Sequence, residues 1–265
     1  MILHYDIQDI VPYINWLYFY HAWSMNGKSE TAKLQLRKDA EEMLHTWEGC
    51  YHTHAVFGLF DANSDGDDLI LGDKRLPMLR QQKPKKPGYP NLCLADFVRP
   101  VGKGKDKVGV FATSVDAELQ KAYLHDDYQR MLSQVLADRL AEGTAEKMHE
   151  EVRRNYWGYA PNERLTMEQT HNEQYQGIRP AVGYPSLPDT SINFILNELI
   201  DMKGIGIRLT ESGMMTPHAS VSGLMLAHPG SRYFELGRIG TDQINDYARR
   251  RGLPVELIRR FLKGV

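Results

Sequence analysis

The sequence predicts an α+β fold, and three observations support this class. Segments with helical apolar spacing and short strand-like apolar runs both occur along the 265 residues. Two apolar runs flank Asp65-Gly66, a pair that tolerates the positive φ angles of a tight hairpin turn. Near the end of the chain, the short turn sequence of residues 228–231 joins two further predicted strands. Strands joined by so short a turn run antiparallel, so at least part of the sheet is antiparallel.

In the first half of the chain, one helix, several strands and two loops are predicted. Apolar side chains recur at helical spacing among charged ones over residues 28–47, which predicts an amphipathic helix. The stretches 83–88 and 102–105 contain Pro or Gly residues that break both regular periods, so we expect exposed loops there. Continuous apolar runs predict strands at residues 55–60, 69–71, 92–94 and 108–112.

The middle of the chain contains a long helical pattern followed by a proline-rich loop. One apolar stripe continues through residues 116–154, and Gly143 within it is interpreted as a kink or a break. Thr166 with Gln169 three residues later is a capping-box pattern, which predicts a helix that begins there and stops before Gly177. Three prolines in residues 179–189 remove hydrogen-bond donors and fix φ, so this segment is predicted to be a stiff loop.

The last third of the chain returns to regular elements. The helix predicted at residues 191–202 carries its apolar residues on one face, and Gly252 is predicted to end the helix at 241–251. The remaining predictions are strands at residues 205–209, 220–226 and 233–236 and a final helix at residues 254–262.

The composition is that of a globular protein without strong electrostatic preferences. Apolar residues make up 42% and charged residues 25% of the sequence, and the formal net charge is −2. These values give no general attraction to nucleic acid or to anionic lipid, so neither is expected as a partner. The sequence has no basic segment followed by an apolar run at its start, and no apolar stretch of roughly 18 residues that would span a bilayer. We expect a cytoplasmic protein in which Cys50 and Cys93 are buried or idle thiols.

Several motifs that resemble functional sites fail on closer inspection, and no catalytic or metal-ligating residue is predicted. Asp61, Asn63, Asp65 and Gly66 match the start of an EF-hand loop, but its twelfth position is Gly72 instead of the bidentate Glu, which favours the hairpin turn. A Gly-x-Gly pair at residues 102–104 precedes a strand, whereas a dinucleotide-binding loop follows one. The cluster at residues 125–127 could ligate a metal, although a solvent-facing helical position is favoured.

The proline-rich loop is the strongest candidate for a binding site. Arg179 precedes Pro180 and Tyr184 follows, so a permanently charged fork and an aromatic ring lie on a stiff backbone. Such a loop suits a ligand that carries a carboxylate. Alternatively, Arg179 pairs with a nearby Asp or Glu while the prolines only shape a turn, and residue chemistry alone favours this second interpretation.

A series of longer motifs points to a known family. The most specific are Tyr-Trp-Gly-Tyr-Ala-Pro-Asn-Glu at residues 156–163 and Tyr-Gln-Gly-Ile-Arg-Pro-Ala-Val-Gly-Tyr-Pro at residues 175–185. Shorter matches occur at residues 13–16, 23–24, 94–98, 125–128, 136–142, 209–212, 219–223, 228–229 and 246–250. In this order, over nearly the whole chain, they resemble the reactivation domain of cobalamin-dependent methionine synthase.

The resemblance implies a fold and a function. Residues 1–265 would form one curved domain, with a bent, largely antiparallel sheet flanked by helices. This domain would bind S-adenosylmethionine and support the reductive methylation of cob(II)alamin, with an electron from flavodoxin or an equivalent donor. The sequence lacks the Asp-x-His-x-x-Gly motif that ligates cobalt, so we expect a component that acts on a separate methionine synthase chain carrying the cobalamin. The alternatives are a repair protein for another corrinoid methyltransferase and a non-catalytic S-adenosylmethionine sensor.

The resemblance also assigns site residues. Arg179 matches the arginine of the family that would hold the methionine carboxylate, and Ala181 and Tyr184 of the same loop would line the pocket. Tyr233 and Phe234 match an adjacent tyrosine pair, whose ring faces suit a sulfonium or an adenine. An ordinary strand with one of the two residues packed in the core is the alternative for this pair.

Three departures from the family pattern concern the pocket. Asn15 replaces an aspartate, so a negative charge near the cationic end of the ligand is lost and weaker binding is expected. Residues 216–218 are Thr-Pro-His where the family has Trp-Pro-Gly, and Ser186-Leu187 replaces Ala-Cys. These changes alter the expected shape of the pocket and leave the expected fold unchanged.

Overall fold

The computed structural model describes residues 1–83, 86–121, 123 and 125–262, and its centre is a curled antiparallel sheet. The strands of this sheet are β1 (Ile2–Asp6), β2 (His52–Asp65), β3 (Asp68–Leu71), β4 (Lys74–Pro77), β5 (Asp106–Val115) and β8 (Ser220–Met225). A separate two-stranded sheet pairs β6 (Arg208–Leu209) with β7 (Met215–Thr216). Pro84 and Lys85 of the predicted loop at 83–88, and Ala122 and Leu124 within the predicted helix at 116–154, lie outside the described residues.

The order of the main sheet is β4-β3-β2-β5-β8, and every pairing is antiparallel. Strand β2 is long enough to pair with β1 through its first half and with β3 through its second half, while β5 occupies its other edge. The hairpin predicted at Asp65-Gly66 is confirmed, since Asp65 pairs with Asp68 and Gly66 has a φ of 61°.

Helices cover both faces of the sheet. They are α1 (Ile7–Ile10), α2 (Trp16–Ala22), α3 (Glu30–Trp47), α4 (Asp127–Glu151), α5 (Met167–His171), α6 (Ile192–Leu199), α7 (Thr241–Arg251) and α8 (Val255–Phe261). Alternate residues of β5 divide between two cores: Phe111 packs with α3 and α4, whereas Val110 packs with α6 on the opposite face. The apolar residues of β5 are therefore buried on both faces, which explains the continuous apolar run in its sequence.

Helix α4 passes through Gly143 without interruption, so the predicted break is wrong. The glycine permits close contact instead, because a Cβ at this position would lie 2.9 Å from Cγ2 of Ile10 in α1. The helix also begins later than predicted: Asp126 caps it by accepting a hydrogen bond from the backbone N–H of Gln129 at 2.9 Å. A π-helical turn, Val152–Tyr156, continues from its end.

Two predicted strands are wrong. Residues 92–94 make only an isolated bridge, between Cys93 and Arg80, before the 3-10 helix Leu94–Phe97. Residues 233–236 have no regular structure, so the turn at 228–231 does not close a hairpin. The physical reason is that residues 178–182 already occupy the outer edge of β8, which leaves no edge there for another strand. The strand predicted at 205–209 is reduced to β6.

The other helical predictions are confirmed. Thr166 and Gln169 form the reciprocal capping box at the start of α5. Gly252 ends α7 in a left-handed conformation, with a φ of 65°. Within the part of the chain that the structure describes, we find no helix with the length and apolarity needed to cross a membrane.

Candidate functional site

A cavity of about 1290 Å³ lies between α4, the proline-rich loop and residues 232–240. It is larger than the pockets that usually hold small ligands, roughly 300–1,000 Å³. The sequence-predicted site residues all line it: Asn15, Arg179, Ala181, Tyr184, Tyr233 and Phe234. The structure therefore brings together residues that are up to 219 positions apart in the sequence (234 minus 15).

Backbone hydrogen bonds fix the proline-rich loop to strand β8. The N–H of Val182 donates to the carbonyl of Ser222 at 2.8 Å, and the N–H of Leu224 donates to the carbonyl of Pro180 at 3.0 Å. Gly223 lies directly opposite, where a Cβ would come within 2.2 Å of the Pro180 oxygen. Only glycine permits this close approach, so Gly223 allows the loop to lie directly against β8.

The tip of the loop places an aromatic ring at the cavity wall. Gly183 adopts a φ of 89°, and its N–H donates to the carbonyl of Leu187 at 2.8 Å, which closes a tight turn. The hydroxyl of Tyr184 donates to Oε1 of Glu142 on α4 at 2.6 Å. The side chain thus connects the loop to α4 across the cavity wall while about half of it stays exposed to solvent.

The guanidinium of Arg179 forms a bidentate pair with Glu146 on α4. Its Nη1 and Nη2 lie 3.2 and 2.9 Å from the two carboxylate oxygens, and Nη1 also lies 3.2 Å from Nδ1 of His149. Burial is the largest single influence on the pKa of Arg179 and acts to lower it, but the charge and hydrogen bond of Glu146, together with Tyr175 and Tyr233, raise the pKa well above its ordinary value. The structure thus confirms that Arg179 pairs with a carboxylate, and it also places Arg179 at the cavity wall. The three contacts engage three of the five N–H groups of the guanidinium.

Further charged residues at the cavity wall have incomplete or strained environments. Burial raises the pKa of Glu173, with a smaller contribution from the negative charge of Glu146. Glu173 also has a φ of 56°, a left-handed conformation that is unfavourable for a residue with a side chain. Among the described residues, the buried Nε of Arg139 has no hydrogen-bond partner. Strain and unsatisfied polar groups of this kind are concentrated at functional sites.

The aromatic pair at residues 233–234 lies outside any strand, so the alternative of an ordinary strand is wrong. The hydroxyl of Tyr233 accepts a hydrogen bond from the backbone N–H of Arg179 at 2.8 Å and lies 3.4 Å from the hydroxyl of Tyr175. The ring of Phe234 lies 6.4 Å from the ring of Phe97, measured between centroids. Both residues are half-buried at the cavity wall.

Asn15 combines a structural contact with its position at the cavity. Its Oδ1 accepts a hydrogen bond from the backbone N–H of Leu17 at 3.1 Å, which caps helix α2. An aspartate can make the same cap, so the amide is not required for the helix. Of the other departures, Ser186 lines the cavity, whereas residues 216–218 are not among the described lining residues.

Sequence reasoning missed a polar stripe on α4, of which Arg139, Glu142 and Glu146 line the cavity. Its members recur at spacings of three or four residues: Arg139, Glu142, Glu146, His149 and, in the π-helical turn, Arg153. Residues at these spacings share one face of a helix. The signal is therefore present in the sequence, on the same helix as the apolar stripe.

Comparisons with known proteins agree with this architecture. A family described as "Vitamin B12 dependent methionine synthase, activation domain" matches residues 6–252. A crystal structure of the MetH reactivation domain bound to AdoHcy shares 40% sequence identity with this chain. The match covers 99% of this chain and 88% of the other, with a TM-score of 0.92. All six predicted site residues lie within the region matched by the family.

Proposed function

The chain belongs to the activation-domain family of vitamin B12-dependent methionine synthases, and from this premise we propose that its cavity binds S-adenosylmethionine. The observation that carries the proposal is the position of Arg179, at the cavity wall on a loop fixed to β8. Its contacts with Glu146 and His149 leave two N–H groups of the guanidinium for a carboxylate ligand. The similar solved structure contains AdoHcy, the demethylated form of the proposed ligand.

The charges at the cavity wall complement this ligand. S-adenosylmethionine carries a carboxylate, an ammonium and a sulfonium, and therefore a net positive charge. Glu142, Glu146 and Glu173 line the cavity together with Arg139 and Arg179. The carboxylates suit the two cationic groups of the ligand, and Arg179 suits its carboxylate.

Aromatic side chains at the same wall suit the remaining groups of the ligand. The rings of Tyr184, Tyr233 and Phe234 offer π-faces on which an adenine can stack or against which a sulfonium can lie. Tyr233 accepts a hydrogen bond from the backbone N–H of Arg179, so its ring is held beside the loop that carries the guanidinium. Arg179 and these rings would thus orient the two ends of one ligand.

We further propose that the chain acts in the cytoplasm on cobalamin carried by a separate methionine synthase chain. The 265 residues contain no Asp-x-His-x-x-Gly motif, so the cobalt must come from outside them. S-adenosylmethionine, when bound, supplies the methyl group for reductive methylation, while flavodoxin or an equivalent protein supplies the electron. The partner has to dock over the cavity, because methyl transfer requires near contact between donor and acceptor.

Calorimetric titration with S-adenosylmethionine tests the binding proposal. We expect saturable binding that persists after EDTA treatment, because the cavity wall offers a guanidinium, carboxylates and rings, and no group of side chains suited to hold a metal ion is found among the described residues. Absence of binding, or binding that requires added zinc or calcium, would overturn this view of the site.

The role of the chain is tested by mixing it with a cobalamin-binding methionine synthase chain in the cob(II) state, an electron donor and S-adenosylmethionine. Methylcobalamin is followed by absorbance, and omission of the chain should abolish its formation. Methylation only with another corrinoid methyltransferase would favour the repair alternative. Binding without any effect on methylation would favour the sensor.

A further inference from the structure

A network of buried polar side chains leads from the cavity into the protein. Nη1 of Arg179 lies 3.2 Å from Nδ1 of His149, and the same Nδ1 lies 2.9 Å from Nη1 of Arg153. Arg153 in turn forms three contacts of 2.6–3.0 Å with the carboxylate of Glu163. The side chains of His149 and Arg153 are fully buried, so this network lies inside the protein.

His149 can serve both arginines only in one protonation state. A guanidinium has donors and no acceptor, so Nδ1 must offer its lone pair to both and the ring proton must reside on Nε2. Nε2 lies 3.4 Å from the hydroxyl of Tyr159. Burial, and then the charges of Arg153 and Arg179, hold the pKa of His149 well below its ordinary value, which keeps the ring neutral. The imidazole therefore acts as an acceptor between two cations.

The inner end of this network is held by contacts of Arg153 and His149 with the ring of Tyr175. Arg153 belongs to the π-helical turn, and its guanidinium lies 4.2 Å above the centroid of the Tyr175 ring. The imidazole of His149 meets the same ring edge-on, at 5.1 Å between centroids. Glu163 and Arg153 thus fix the position of His149, which contacts Arg179 at the cavity wall.

We propose that His149 is a positioning residue that fixes the plane of the Arg179 guanidinium for a ligand carboxylate. Glu146 holds Nη1 and Nη2, and His149 also holds Nη1, so the three contacts together restrict rotation of the guanidinium. A guanidinium fixed in this way presents its remaining N–H groups in one orientation, which favours a planar carboxylate. This inference rests on the proposed binding of S-adenosylmethionine in the cavity.

The test compares two ligands. S-adenosylmethionine carries the carboxylate, whereas 5′-methylthioadenosine keeps the adenosine and the sulfur but lacks the amino-acid part. We expect His149→Leu, which removes the acceptor, to weaken S-adenosylmethionine about tenfold to a hundredfold. Binding of methylthioadenosine should change less than about twofold, within the usual error of a neutral change. A role in packing alone would weaken both ligands alike.

Two polar variants keep the test decisive if His149→Leu does not fold. The amide oxygen of His149→Asn can take the place of Nδ1, whereas that of His149→Gln reaches the place of Nε2. We expect the Asn variant to retain most of the affinity for S-adenosylmethionine and the Gln variant to lose it, at equal urea midpoints. Thr144→Val is the matched control, since Thr144 is buried on the same helix and its hydroxyl donates to the carbonyl of Leu140.

The outcomes separate the two proposals. If the unaltered protein does not bind S-adenosylmethionine, the proposed function fails. If it binds and the Asn and Gln variants lose affinity equally, or lose affinity for methylthioadenosine as well, only the positioning role of His149 fails.

Discussion

Replacement of Arg179 by alanine separates its contribution to binding from its contribution to stability. The side chain is only 9% exposed and its partner Glu146 14% exposed, so the pair is largely removed from water. Loss of one partner of such a charge-assisted contact costs about 2–4 kcal/mol of ligand affinity. We therefore expect Arg179→Ala to weaken S-adenosylmethionine by roughly 30- to 1,000-fold, at about 1.4 kcal/mol for each factor of ten.

The same substitution leaves the carboxylate of Glu146 without its main partner. Breaking a buried pair from one side costs about 3–5 kcal/mol. Because Glu146 lines an open cavity that admits water, we expect about 1–3 kcal/mol of lost unfolding free energy instead. Adding Glu146→Gln to Arg179→Ala removes the stranded charge, so the double variant should regain stability without regaining affinity.

Calorimetry gives the affinities, and urea denaturation gives the free energies of unfolding for the single and double variants. Arg179→Lys is the conservative comparison and should recover part of the affinity, because an ammonium cannot make the planar two-bond contact. Wild-type affinity in Arg179→Ala would refute this reasoning and would leave Arg179 as a purely structural partner of Glu146. Recovery of both properties in the double variant would also refute it.

Three further predictions concern the cavity wall and the loop. Asn15→Asp keeps the cap of α2 and adds a negative charge, so calorimetry should show tighter binding of S-adenosylmethionine by about 0.5–1.5 kcal/mol. AdoHcy, whose sulfur carries no charge, should bind with little change. Equal changes for both ligands would place the new charge away from the sulfonium. Burial raises the pKa of Glu173 above its ordinary value of 4.5, and a cationic ligand favours the ionised form, so affinity should rise with pH from about 4.5 through the raised pKa, with proton release. Without ligand, the raised pKa means that Glu173 contributes stability below its ordinary pKa, and this contribution is lost as pH rises through the raised value. Glu173→Gln should remove the pH dependence of affinity and that of stability. An unchanged pH profile would exclude Glu173 as the source of either. Gly223→Ala brings a Cβ within 2.2 Å of the Pro180 oxygen, so it should lower the urea midpoint and weaken binding together, whereas normal binding would show that the loop adapts.

Local sequence signals specified the elements whose contacts are mainly local. The capping box at Thr166 and the hairpin at Asp65-Gly66 depend on hydrogen bonds and φ angles within a few residues, and both are present in the structure. The apolar run at residues 233–236 also has the composition of a strand, but no local signal shows that residues 178–182 occupy the edge it would need. The strand predicted at residues 233–236 is therefore absent because a distant segment of the sequence occupies the strand edge.

The candidate site shows the same division. The family resemblance identified Arg179, and the structure brings it to the cavity together with the other predicted residues. Its partners Glu146 and His149 were missed because pairing across 33 and 30 positions depends on how α4 packs against the loop. The proposed ligand-binding roles of these residues stay predictions until binding is measured.

The attachment of residues 178–182 to β8 also bears on the solubility of the protein. An uncovered strand edge offers free N–H and carbonyl groups to strands of other molecules and so promotes aggregation. Here the segment that carries Arg179 covers that edge, through the pairs Ile178–Leu226 and Ala181–Gly223. Any ligand that holds this segment in place would therefore also keep the edge closed. Variants with a loosened loop should self-associate, and saturating ligand should suppress that self-association.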